Sequence, residues 1–126
     1  MIYEIISYPL IFVFVFLSSF LIHELMHIKS QGINMKGTIF VKKLGMYCTP
    51  EHFNNLHVFE LAGGIYTSII MFIMTFCCVG WWQWCFLTMG YVHFFYGLYE
   101  GFISIKYRMY IYVTVICVML LLWMVK

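Results

Sequence analysis

Aspartate is absent from the chain, proline occurs twice, and charge of either sign is scarce: 7 basic and 5 acidic residues among 126. Soluble domains carry about 25% charged residues, against 10% here. With a mean hydropathy of +0.94, that deficit excludes a soluble globular protein and a disordered chain. A net charge of +2, with no basic cluster beyond Lys42 and Lys43, leaves no stripe to neutralise phosphates and excludes a nucleic-acid partner. No two cysteines show CxxC spacing, and Cys48, Cys77, Cys78, Cys85 and Cys117 sit mostly in apolar runs. They read as small core hydrophobes; a minor alternative pairs Cys77 or Cys78 with Cys85 across a short turn if that face is oxidising. Without aspartate, any carboxylate chemistry falls to glutamate.

What the chain does have is apolar length, 64% hydrophobic and 21% aromatic. The expectation is an all-α integral membrane protein, a single polytopic domain over residues 1–126 in contact with the lipid bilayer. A span needs about 20 mostly apolar residues, and four candidates meet that ruler, at about 5–28, 61–79, 84–105 and 109–125. The opening MIYEIISYPL has an acid, no base and no following small-residue cleavage site, so the first segment reads as a retained helix rather than a signal peptide.

Residues 29–60 form the long polar stretch. There Ile33, Met35, Ile39 and Val41 alternate with Asn34, Lys36 and Thr38, a strand-like period of two, and Lys42, Lys43 and Gly45 would turn it into a hairpin with Met46 to Cys48. Lys29, Lys36, Lys42 and Lys43 fill this loop, Lys106 and Arg108 fill the third, and the turn at Gly80 to Gln83 has no cation. The positive-inside tendency therefore places loops 29–60 and 106–108 in the cytoplasm and both termini outside. Trp81, Trp82 and Trp84 form an aromatic belt at the uncharged turn.

Five ionisable side chains fall inside apolar segments: His23, Glu24, His27, His93 and Glu100. A charged group near mid-bilayer costs about 2.5 to 3.5 kcal/mol on insertion scales, so each calls for a reason. The first three lie in HELMH, an HExxH pattern. On a helix His23 and His27 share one face and can grip one metal, with Glu24 beside the open coordination position as the catalytic base. A catalytic zinc site needs a third protein ligand. In a bundle of alternating spans the third helix ends beside the end of the first. His23 lies about 9 Å below Lys29 and Glu100 about 9 Å below Lys106 along their helices, so the two match in depth and Glu100 is the candidate. His93 is the rival, about 10 Å deeper than Glu100; Glu51, His52, His57 and Glu60 are further rivals that read as solvated interface polarity.

These residues resemble the site-2 protease family of intramembrane zinc metalloproteases. HELMH resembles its HExxH, ELAGGIYTSIIMF (60–72) its small-residue AGPxxN stretch, and GLYEG (97–101) its LDG motif. The hairpin-like segment falls where that family carries a membrane-associated β-hairpin. Gly64 stands at the family's proline, Thr67 at its asparagine and Glu100 at its aspartate. The resemblance implies a Zn2+ cofactor held by His23, His27 and Glu100, with Glu24 as general base, and peptide-bond hydrolysis in membrane-protein or membrane-peptide substrates. The segment carrying Ile33, Met35, Ile39 and Val41 would either offer an unpaired strand edge to an extended substrate or lie on the bilayer as an ordinary amphipathic strand. The competing classes are a non-enzymatic metal-binding or transporting protein, with His23, His27, His93 and Glu100 as a polar track, and an inactive scaffold.

Overall fold

A computed structural model describes residues 2–43, 45–102 and 108–125. The chain is mostly helical, with a two-stranded hairpin between the first and second helices. Helix α1 runs Ile2–Lys29, strands β1 and β2 are Gly37–Lys42 and Gly45–Pro50, and helices α2, α3 and α4 are Leu56–Cys77, Gly80–Phe102 and Arg108–Val125. Each of the first two helices starts earlier than its apolar run: α1 reaches back to Ile2, and α2 begins at Leu56. Asn55 accounts for the second, because its side chain accepts the Val58 N–H at 3.1 Å and caps the free end of the helix. The end expected for the third span, near Ile105, and Lys106 lie outside the described residues.

By length and composition, two helices can cross a membrane: Ile2–Lys29 and Leu56–Cys77. Among the described residues, α3 is long enough but is diluted by Gln83, Gly90, His93, Gly97 and Glu100, and the apolar part of α4 is Val113–Val125.

Side-chain contacts give the helix directions. Trp81 at the start of α3 stacks on Tyr8 near the start of α1, at 5.1 Å between ring centroids, so these two run parallel. His27 near the end of α1 meets Phe59 near the start of α2, and Trp84 donates to the Met119 carbonyl near the end of α4. Both pairs are therefore antiparallel. The belt tryptophans Trp81 and Trp84 thus bond backbone carbonyls of neighbouring helices, Tyr8 at 2.8 Å and Met119 at 3.1 Å. At mid-height Val15, Met71, Cys85, Met89, Val92 and Tyr96 form the apolar core. Towards the other end, buried polar residues replace it: Ser19, His23, His27, Thr67 and His93. Helices α2 and α3 touch backbone to backbone where Gly64 meets Gly97; a Cβ on Gly64 would sit 2.1 Å from the Gly97 Cα. Small residues are what permit such an approach.

All five cysteines are free thiols. Only Cys85 is a core residue; Cys77 and Cys117 are exposed on the outer surface of the helices, so neither the core reading for those two nor the Cys77 or Cys78 pairing with Cys85 holds. The strand-like reading of residues 33–41 also needs correction. The strand begins at Gly37, because the Lys29 ammonium donates to the Ile33 and Met35 carbonyls at 3.1 and 3.0 Å and folds that stretch into a turn after α1. The ladder pairs Gly37 with Pro50 through Lys42 with Gly45, so Ile39 faces the same side as Cys48. That side lies towards α1, since a Cβ on Gly37 would meet the Ile28 side chain at 2.9 Å. Phe40 and Tyr47 stack on the other face at 5.9 Å.

Candidate metal centre

The last two turns of α1 carry the first two candidate ligands. His23 and His27 stand one turn apart, both buried, with ring planes at 81° and Nε2 atoms 3.0 Å apart. The orientation of His27 is set from outside its helix. Its Nδ1 bonds the Phe59 carbonyl oxygen, and because a carbonyl only accepts, Nδ1 carries a hydrogen, which in the neutral ring leaves the Nε2 lone pair for a metal. The ring lies over Gly63, where a Cβ would come within 2.2 Å of Nε2. The start of α2 is fastened there by a buried clip: the Gln31 side-chain oxygen accepts the Asn54 and Asn55 N–H groups at 2.8 and 2.9 Å, and its amide donates to the Asn55 carbonyl at 3.1 Å.

Glu100 comes from α3. Its Oε2 lies 3.3 Å from the His23 Nε2 and 3.3 Å from the His27 Nε2, in the interior of the bundle. One turn back, the Tyr96 hydroxyl reaches Oε1 at 3.5 Å. Oε2 itself is buried with no donor aligned on it.

These observations test whether a metal fits. Two imidazole nitrogens and a carboxylate oxygen converge within 3.0 to 3.3 Å of one another. In a tetrahedral site with bonds of about 2.0 to 2.1 Å, neighbouring ligand atoms stand about 3.3 Å apart. A divalent cation placed among them would engage all three lone pairs at once and offset the charge of Glu100. The residues fit the group. Among the described residues, His23, His27 and Glu100 are the one set of three that could hold a metal ion.

Glu24 is buried next to His23, and the Cys48 thiol of β2 lies close enough to feel its charge, so the hairpin covers the candidate base. Burial, followed by the charge of Glu24, pushes the Cys48 thiol above the ordinary cysteine range.

The other candidates fall elsewhere. His93 is fully buried behind His23. Its Nδ1 meets the His23 Nδ1 at 3.1 Å and its Nε2 meets the Ser19 hydroxyl at 3.0 Å, so both ring nitrogens are engaged. Glu51, His52 and His57 are exposed in the segment before and at the start of α2, and Glu60 is half-buried. The four residues read as a substrate edge do not form one. Ile33 is 88% exposed in the turn, Met35 is buried beneath it, Ile39 is half-buried against α1, and Val41 is exposed near the hairpin tip. Sequence reasoning passed over Ser19, Gln31 and Phe59, and read Cys48 as a core hydrophobe and Gly97 as the start of the GLYEG match without giving either a contact at the site. No protein-family model, curated protein or solved structure matches the chain.

Proposed function

We propose that the chain is a multi-pass membrane protein whose four helices all span the bilayer, and that it is an intramembrane zinc metalloprotease related in mechanism to the site-2 proteases. Its substrates are peptide bonds within or near the transmembrane segments of membrane proteins or membrane peptides. Loops 29–60 and 106–108 face the cytoplasm and both termini the other side, in keeping with the distribution of cations. One observation carries the reading: the His27 Nε2, the His23 Nε2 and the buried Glu100 Oε2 converge beside the buried Glu24 of an HExxH pattern.

Two imidazoles and one carboxylate make a catalytic zinc set, in which one position stays open. His23, His27 and Glu100 would hold the zinc, which when bound would supply Lewis acidity to a water and to a scissile carbonyl. The chain's own residues do the rest. Glu24 takes a proton from the attacking water as the new carbon–oxygen bond forms, and returns it to the amide nitrogen as the carbon–nitrogen bond breaks. Phe59 and Gly63 hold His27 in place, and Tyr96 steadies the second carboxylate oxygen of Glu100. A substrate helix has to unwind first, because its carbonyls are tied up in i to i−4 bonding. The hairpin, whose Cys48 lies close to Glu24, is the element beside which the extended segment would lie.

The test is Glu24→Gln in detergent-solubilised or vesicle-reconstituted protein supplied with single-span substrates. Zinc content should stay at the wild-type level while cleavage falls by at least about 100-fold, the scale of general-base catalysis. A metal carrier or scaffold would be little changed by this substitution, so unaltered behaviour towards every substrate would reject the protease reading.

A further inference from the structure

His93 and Ser19 are both fully buried, and neither has a part in the hydrolysis described above. Together they form a hydrogen-bonded line that ends on a metal ligand. Serine has a single hydrogen, and the Ser19 hydroxyl directs it at the Phe16 carbonyl oxygen, 2.8 Å away. A carbonyl only accepts, so the Ser19 oxygen must itself accept from its other neighbour, the His93 Nε2 at 3.0 Å. A neutral imidazole with its hydrogen on Nε2 has a bare Nδ1. That Nδ1 faces the His23 Nδ1 at 3.1 Å, so the hydrogen between them belongs to His23. The hydrogen of His23 is then on Nδ1, and its Nε2 is bare where it meets the His27 Nε2 and the Glu100 Oε2.

We propose that Ser19 and His93 are positioning residues that fix the hydrogen of His23 on Nδ1 and so aim a bare Nε2 at the metal. The proposal rests on the three-ligand metal site. Two backbone carbonyls thereby set both ligating rings, Phe59 acting directly on His27 and Phe16 acting on His23 through two side chains. Ligand-orienting partners of this kind are worth about 10- to 100-fold in metal affinity. The direction of the line is set at its Phe16 end: with the Ser19 hydrogen committed to a carbonyl that only accepts, each further hydrogen bond runs towards Phe16.

The experiment is Zn2+ affinity by competition with a chromophoric chelator in detergent, alongside nitrogen-15 spectra of metal-free, histidine-labelled protein. His93→Leu should bind zinc about 10- to 100-fold more weakly, and Ser19→Ala about fivefold more weakly, the worth of one neutral hydrogen bond. His93→Asn, whose side-chain oxygen can take the place of Nδ1 as acceptor, should restore most of the affinity. The His23 resonances, identified by their loss in His23→Gln, should show hydrogen on Nδ1 in the wild type and a mixture in His93→Leu. Wild-type affinity in His93→Leu, while His27→Ala loses zinc, would overturn the positioning role and leave the metal site standing. A wild-type protein without zinc affinity would overturn both. If His93→Asn bound as weakly as His93→Leu, the ring's volume rather than its hydrogen bond would be what matters, and the proposal would fall.

Discussion

Gly63→Ala adds one methyl group to the middle of α2, directly beneath a candidate ligand. The new Cβ would stand 2.2 Å from the His27 Nε2 and 2.5 Å from each adjoining ring carbon, where ordinary contact begins at 3.4 Å. The ring therefore has to withdraw by 3.4 − 2.2 = 1.2 Å. Metal sites tolerate ligand displacements of only about 0.2 Å, so the movement takes His27 out of the coordination shell. Four-ligand zinc sites in small domains are worth roughly 10 to 16 kcal/mol. One ligand is then worth about 3 kcal/mol, and the expected loss of zinc affinity is about 100-fold or more. The helix itself should not suffer, since alanine is favoured over glycine in a helix interior by about 1 kcal/mol. Chelator competition measures the affinity and thermal unfolding of the metal-free protein monitors the fold. Because the methyl acts by displacing His27, Gly63→Ala combined with His27→Ala should bind no more weakly than His27→Ala alone. Wild-type zinc affinity in Gly63→Ala would refute the placement of His27.

Two further predictions concern the segments that close around the site. Gln31→Leu strips the acceptor from two backbone N–H groups; at about 1 to 3 kcal/mol for each stranded donor, the thermal midpoint should fall, and zinc affinity with it, because Phe59 is no longer held against His27. An unchanged midpoint would show that the clip contributes nothing. Cys48, whose thiol is raised by burial and then by Glu24, holds little thiolate at pH 8.5, so maleimide should label it at least about tenfold more slowly than in the denatured chain, with a rate still climbing as pH increases. Glu24→Gln should speed the labelling, and equal rates in the two proteins would refute the contact between β2 and the candidate base.

The helical architecture and the intervening hairpin were legible because apolar runs of helical length and a period-two stretch are strong signals. The start of β1 was not. Periodicity extends the strand to Ile33, and nothing in the pattern shows that Lys29 will bond the Ile33 and Met35 carbonyls. HELMH stood out because the four-residue spacing of His23 and His27 is itself the geometry of one helix face. Glu100 was reachable from the alternation of helix directions together with the lack of aspartate. Ser19 was hidden, since a serine in an apolar helix reads as a packing residue and its meaning comes from His93, on another helix. The Phe59 contribution is a backbone oxygen, which every residue carries, so no sequence pattern distinguishes it. His93 presented the reverse difficulty. Its residue type points to a ligand, and only its hydrogen-bond partners show both nitrogens engaged.

The most direct measurement is zinc per chain in detergent-purified protein, for the wild type, His23→Ala, His27→Ala, Glu100→Ala and Glu24→Gln. The three-ligand site predicts close to one zinc in the wild type and in Glu24→Gln, and a sharp loss in each of the other three. Full zinc content in Glu100→Ala would contradict the assignment of the third ligand, and a wild type that holds no zinc would contradict the site as a whole.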